Sequence, residues 1–265
     1  MRGTPRAAVL AALAALALPS VGSAQGLYIP GAGAVHGGMG GASTATPLDA
    51  IGALYWNPAA IGRLGRSEVS IGGNVLFPDI TLSSSFPRSG GRVAAGSTRS
   101  DSGVPLTSAL GLVYQPEEGP LTFGMGLTTL GGGGVNFPGD PANPVLAPIG
   151  PFGRNVIGPI YSNLTLVQIT PTVAYKVTDR LVIGLGPTVD ITLASFDPAF
   201  FAPPTRDPSG QFGTFSSATH SRPFWGGGFR AGLVYSVTDT LDVGFGYTSP
   251  QWQEVWEFKS RDELG

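Results

Sequence analysis

Between Leu181 and Leu193 the chain alternates without a break. The odd positions are Leu181, Ile183, Leu185, Pro187, Val189, Ile191 and Leu193; the even ones are Val182, Gly184, Gly186, Thr188, Asp190 and Thr192. A repeat of two sends alternate side chains to opposite faces, which marks a β-strand and excludes a helix. Leu241, Val243, Phe245 and Tyr247 oppose Asp242, Gly244, Gly246 and Thr248 in the same way. So do Phe229, Ala231, Leu233, Tyr235 and Val237 against Arg230, Gly232, Val234, Ser236 and Thr238. In a soluble sandwich the face turned away from the core carries Lys, Glu and Thr. Here it carries Gly and Thr, and charged residues are only 12% of the chain, about half the usual share. Large residues facing an apolar solvent and small residues facing an interior describe a transmembrane antiparallel β-barrel.

Composition excludes the alternatives. Gly (41) and Pro (24) together make about a quarter of the 265 residues, but without a fixed period. A hydrophobic share of 42% is too high for a disordered chain. Beyond the N-terminus no run reaches the ~18 apolar residues of a membrane helix. Cysteine is absent, which removes disulfides, zinc–thiolate sites and thiol nucleophiles. Arg2 and Arg6, an Ala/Leu run over 7–18 and Gly22-Ser23-Ala24 form a cleavable export signal over 1–24. Losing those two arginines takes the net charge from -2 to -4, the wrong sign for a nucleic-acid partner.

Tyr175-Lys-Val-Thr-Asp179 and Tyr235-Ser-Val-Thr-Asp239 each join two alternating runs and read as tight hairpin turns. The expected strands are 68–86 (kinked at Phe77-Pro78), 107–115, 120–130, 161–178, 180–196, 223–238 and 240–250. Long connections rich in Gly, Pro and Phe lie at 131–159 and 197–222, the outer loops of such a barrel. Seven strands leave an open edge, each unpaired backbone group in a membrane costing several kcal/mol. The expectation is therefore an incomplete gene product, with residues 67–265 forming the first half of a barrel that is monomeric at full length.

Residues 25–66 do not alternate; they are small, Gly/Ala-rich and nearly uncharged, a size suited to a plug. The Gly31-to-Ala42 run followed by Asp49-Ala50 and Tyr55-Trp56-Asn57-Pro58-Ala59 resembles the N-terminal hatch of the FadL/TodX family of outer-membrane transporters. The resemblance continues through Phe77-Pro78-Asp79-Ile80, the Tyr-x-x-Thr-Asp hairpins, Trp225–Tyr235 and Tyr247-Thr-Ser-Pro250. It implies a fourteen-stranded barrel in the bacterial outer membrane, about half of it present, with the hatch in its lumen. It also implies ligands that are long-chain fatty acids or other hydrophobic molecules, released sideways into membrane lipid at a kinked strand.

Candidate sites follow. Asn57, Pro58 and Ala59 are a gating element of the hatch or, more plainly, a turn. Thr128, Thr129, Gly131 and Gly132 sit where a glycine run favours a bulge or kink, or a loop begins. Phe196, Phe200, Phe201, Phe212 and Phe215 form an outer aromatic group, suited to hydrophobe capture or to packing on itself. Asp190 and Arg230 both face the lumen at nearly equal heights above the turns. They form an ion pair, or Arg230 holds a carboxylate, and the scarcity of inward bases favours neutral hydrocarbons. His36 and His220 lack further ligands at metal spacing; no metal, cofactor or catalytic motif is indicated, so no enzyme is expected. Two other readings are a structural or adhesive barrel and a general porin.

Overall fold

A computed structural model describes residues 28–29, 31–40, 43–147, 149–150, 153–154, 159–203, 215–219 and 222–258. The expected leader over 1–24, Phe212 and His220 lie outside these residues. In chain order the strands are β1 (Glu68–Val75), β2 (Thr81–Pro87), β3 (Val93–Arg99), β4 (Leu106–Tyr114), β5 (Leu121–Phe137), β6 (Ile149–Gly150), β7 (Gly153–Arg154), β8 (Ile160–Lys176), β9 (Leu181–Asp197), β10 (Phe224–Thr238), β11 (Leu241–Thr248) and β12 (Trp252–Gln253). Seven of them make one antiparallel half-barrel sheet in the order β1-β4-β5-β8-β9-β10-β11, with β12 paired to the far end of β10.

The alternation read in the sequence becomes the two faces of this wall. Along β9, Ile183, Leu185 and Leu193 are exposed, whereas Val182, Thr188, Asp190 and Thr192 are buried. The hairpin turns follow from threonine chemistry. Thr178 Oγ1 accepts from Arg180 N at 3.2 Å and from Leu181 N at 3.0 Å, and Thr238 Oγ1 accepts from Thr240 N at 3.3 Å. Each hydroxyl satisfies turn amides that the ladder cannot reach.

Three expectations need correction. The stretch 68–86 is not one kinked strand. The chain leaves the sheet after Val75, and Pro78, lacking an N–H, cannot continue a ladder. From Thr81 it forms a separate hairpin, β2 with β3, whose tip turns on Gly90 (φ 80°) and Gly91 (φ 73°). Strand 120–130 does not end before the glycines: β5 runs to Phe137, and Gly131 to Gly134 pair with Leu166 to Asn163 of β8. Glycine forfeits side-chain packing but keeps its backbone donors and acceptors, so a long neighbour holds it in register. The last strand, expected over 240–250, leaves its ladder after Thr248 and resumes at Trp252.

Against the inner face lie α1 (Ala34–Gly38), α2 (Ala50–Trp56) and a short 3-10 helix (Pro58–Arg63). Asp49 caps α2, accepting from Gly52 N at 2.7 Å. Ala50, Ala53, Leu54, Ala59, Ala60, Ile61 and Leu64 form a core with Val113, Ala174, Val182 and Val234 of the wall. Burial of Leu54 and Ile61 contributes about 1.5–3 kcal/mol each.

Candidate functional site

The N-terminal segment rests on backbone. Gly246, Gly232, Gly184 and Ala174 are register partners across β11, β10, β9 and β8. A Cβ at Gly232 would collide with the Asn57 carboxamide, and one at Gly184 with the Pro58–Ala59 peptide. At Gly246 it would stand 2.6 Å from Trp56 O. Only glycine lets the two backbones approach this closely.

Asn57 is fully buried and uses both ends of its amide. Nδ2 donates to Leu233 O of the wall at 3.0 Å and to Thr44 O at 2.7 Å, while Oδ1 accepts from Ala59 N at 3.0 Å. Pro58 opens the 3-10 helix at a position where a missing N–H costs nothing. Asn57, Pro58 and Ala59 are thus brought together as a joint between α2, the 3-10 helix and β10.

The ends of α2 are held by opposite charges from the wall. At its start, Glu68 of β1 accepts from Ala50 N at 2.8 Å, and Arg66 Nε donates to the same carboxylate at 2.6 Å. At its end, Arg230 of β10 donates to Leu54 O at 2.6 Å and to Tyr55 O. An anion at the amino end and a cation at the carbonyl end both favour the helix dipole. Farther on, Arg63 Nη2 reaches Asp242 Oδ1 at 3.2 Å and the Ser236 hydroxyl beside the β10–β11 turn.

The expected ion pair between Asp190 and Arg230 does not form. Asp190 faces Gly226, and Arg230 faces Gly186. Counting upward from the turns treats strand ends as level, but Leu181 sits opposite Tyr235, not Thr238. That stagger separates the two by four positions, roughly 13 Å along a strand. Asp190, also buried, accepts from Gln168 Nε2 at 2.8 Å and Gln253 Nε2 at 3.4 Å. Arg230 is committed to the helix carbonyls and holds no carboxylate.

Thr128 is the last β5 residue paired with β4. The register with β8 then shifts between Thr129 and Gly131, leaving Leu130 as a bulge, which bends the strand and disrupts the local ladder. Past this point β4 continues through Leu106 beside β1, while β5 follows β8. Between them opens a cleft of about 240 Å³ bordered by Leu106, Thr107, Gly131, Val135 and Leu164. Ile29 of the N-terminal segment also lines it, and its N–H donates to the bulged Leu130 O at 2.9 Å. Gly132, at φ 152°, lies too close to Leu164 O for any Cβ.

Of the aromatic group, Phe196 and Phe201 meet edge to face at 5.6 Å, and Phe200 and Phe215 at 5.1 Å. Phe258 joins the first pair, 5.9 Å from Phe196 and 5.5 Å from Phe201, and Phe224 stacks on Trp256 at 5.5 Å. Phe224, Trp256 and Phe258 escaped the sequence reading; Phe224 carries the only signal, an aromatic at an inward position of β10. Glu254 fastens this end, with Arg222 in a two-pronged pair at 2.6 and 3.0 Å. The Arg222 bonds, and a further one from Trp225 N, hold the Glu254 carboxyl below its ordinary pKa. Among the described residues no cluster of metal-ligating side chains forms.

The model of a family described as "Outer membrane protein transport protein (OMPP1/FadL/TodX)" matches residues 15–256. Among solved structures, the Ralstonia pickettii toluene transporter TbuX superposes with a TM-score of 0.56 at 20% identity, covering 81% of this chain and 56% of that one. A Pseudomonas aeruginosa FadL homologue gives 0.53 at 16% identity, covering 83% and 52%. The chain thus spans about half the length of these structures, and at such identities the likeness speaks for the fold. A search of curated proteins returns no match.

Proposed function

Because the chain belongs to the OMPP1/FadL/TodX family of outer membrane transport proteins, we propose that it serves the uptake of neutral hydrophobic small molecules. They are captured at the outer aromatic group, held in a lumen closed by the N-terminal segment acting as a hatch, and released sideways between β4 and β5. The observation that carries this reading is the cleft beside the Leu130 bulge. It joins the hatch residue Ile29 to a place where neighbouring wall strands part. A hatch bonded to the bulged backbone can change the width of that gap when it moves.

Neutrality follows from the charges. Arg230, the inward cation on β10, is occupied by Leu54 and Tyr55, and four positions farther along the same inner face Asp190 places a buried carboxylate. A carboxylate ligand would meet repulsion there and lose hydration without a partner. The fold shared with TbuX, a toluene transporter, accords with a neutral ligand. The driving force is burial of apolar surface, about 25 cal/mol per Å², and needs neither ATP nor a cofactor.

The test is uptake of labelled toluene, decanoate and a sugar by cells expressing the chain, against cells without it. Faster toluene uptake at unchanged sugar permeability is expected, with decanoate responding less. Equal acceleration of the sugar would make the protein a general porin. Surface binding of toluene without accumulation would make it an adhesive or structural barrel.

A further inference from the structure

β4 and β5 part at the Leu130 bulge and then meet again. The last rung of their ladder pairs Ala109 with Thr128, and Ser108 N still reaches Thr129 Oγ1 at 3.2 Å. Ahead of β4 the chain runs through 100–105, the connection from β3. There Asp101 N donates to Asn136 O at 2.8 Å, and Asn136 N donates to the Ser100 hydroxyl at 2.8 Å. From Ala109 back to Asp101 and from Thr128 on to Asn136 are both eight steps, so the pairing resumes in the register it left. The cleft between the strands is thus a window with a frame on every side, not a fork open at one end.

The frame is braced from outside. Leu76 N, just past β1, donates to Pro105 O at 3.0 Å, and Ser100 N donates to Ile80 O at 2.8 Å at the foot of the β2–β3 hairpin. Beyond the Asn136 rung, buried Asn143 ties that hairpin to the segment following β5. Its Nδ2 donates to Leu82 O at 2.9 Å and to Thr98 Oγ1 at 3.0 Å, and its Oδ1 accepts from the Ser84 hydroxyl. The sides of the frame suit a gap. In the interrupted register Pro105 stands opposite Gly132 and Gly103 opposite Gly134. Proline brings no N–H for a parted ladder to leave unpaired, and glycine brings no side chain to fill the opening.

A closed frame limits what passes through it. A cavity of about 150 Å³ holds one benzene ring. At about 240 Å³ the window takes one substituted ring, whereas three fused rings on the same scale need roughly 300 Å³ or more. We propose that the rung joining Ser100 and Asp101 to Asn136 is the size filter of this transporter, setting the greatest width of a molecule that can leave through the wall. The filter rests on the sideways release proposed above, but which residues bound the opening does not follow from that reading.

Cells expressing the chain are given labelled toluene, phenanthrene and a sugar, and uptake is read above that of cells without it. The unaltered protein passes toluene far faster than phenanthrene. Ser100→Ala removes the acceptor of Asn136 N and raises the phenanthrene-to-toluene ratio about fivefold, the factor for one hydrogen bond. Ser100→Thr keeps a hydroxyl and keeps the ratio low. Two glycines inserted after Gly103 lengthen one side of the frame and raise the ratio further, with sugar uptake unchanged throughout. Val135→Trp and Val104→Trp fill the window from opposite sides and stop both hydrocarbons. A ratio unmoved by Ser100→Ala and by the insertion, while either tryptophan still blocks toluene, overturns the filter and leaves sideways release standing. A rise in sugar uptake alongside phenanthrene marks a general leak and overturns it too. Toluene uptake that survives both tryptophans refutes sideways release itself, and the filter with it.

Discussion

Replacing Gly232 by alanine tests the joint between the N-terminal segment, proposed as a hatch, and the wall at its tightest point. The added methyl would stand 2.9 Å from Pro58 Cδ and 3.0 Å from Asn57 Cγ, and closer still to Asn57 Oδ1. The carboxamide is already fixed by three hydrogen bonds, to Thr44 O, Leu233 O and Ala59 N, and cannot move aside without losing them. At about 1 kcal/mol net for each, the closed arrangement loses roughly 3 kcal/mol. Since 1.4 kcal/mol is a factor of ten, the open-to-closed ratio rises about a hundredfold. Single-channel recording in planar bilayers measures that ratio directly, and sensitivity of cells to a bulky antibiotic measures its consequence. Gly38→Ala is the control, because nothing lies within 4 Å of a Cβ there. If Gly232→Ala records as closed as the unaltered protein while retaining its strand content, the glycine row is not what seats the hatch, and the reasoning fails.

Arg230→Gln removes the cation from the end of α2 and should destabilise the docking of the N-terminal segment by about 1.5–3 kcal/mol, the range for a bond to a charged donor; faster proteolysis within 43–64 reports it. Deleting Leu130 should remove the bulge while Gly131 and the residues beyond it keep their β8 partners and faces, so the gap beside β4 should narrow and toluene uptake fall while the sheet persists by circular dichroism. Asn143→Ala should free the segment after β5 from the hairpin and raise amide exchange at Val145 and Leu146, with a loss of roughly 2–3 kcal/mol for its three bonds. The Thr98 hydroxyl, then the Ala142 and Asn143 amides, hold the Asp140 carboxyl below its ordinary value of 3.8. A depressed folded-state pKa stabilises above the unfolded value and loses that contribution as the pH falls. Protection factors in this segment, with the intrinsic pH dependence of exchange divided out, should therefore be flat at neutral pH and fall below pH 3.8.

What could be read in advance is what depends on near neighbours in sequence. The faces of β9 follow from alternation, and the turn at Thr178 follows from a hydroxyl two residues from the amide it serves. The glycines of β5 misled because their pairing depends on β8, some thirty positions away. Phe77-Pro78 marked a real break, but nothing local says that the chain from Thr81 onward forms a hairpin apart from the main sheet. The partner of Arg230 lies far off on α2 and depends on strand stagger, which no count along one strand supplies. The same holds for Gly184 and Gly232: their spacing identifies an inner face, while the reason for their size is a helix that arrives from another part of the chain. Asn57-Pro58-Ala59 was visible as a pattern, and its three bonds became visible only with Leu233 beside it.

The charges gripping α2 also set a length. Glu68 stands on β1 and Arg230 on β10, five steps apart in the sheet, which in a flat sheet would be about 24 Å. The helix between them has seven residues and spans roughly 10 Å. Side-chain reach makes up part of the difference, and bending of the wall makes up the rest. The helix is therefore a tie-rod: its length, terminated by one acid and one base, dictates how sharply the strands must curl. Lengthening α2 by one turn would ask the wall for a wider radius, so the curvature of the sheet is written partly in the segment that rests on it.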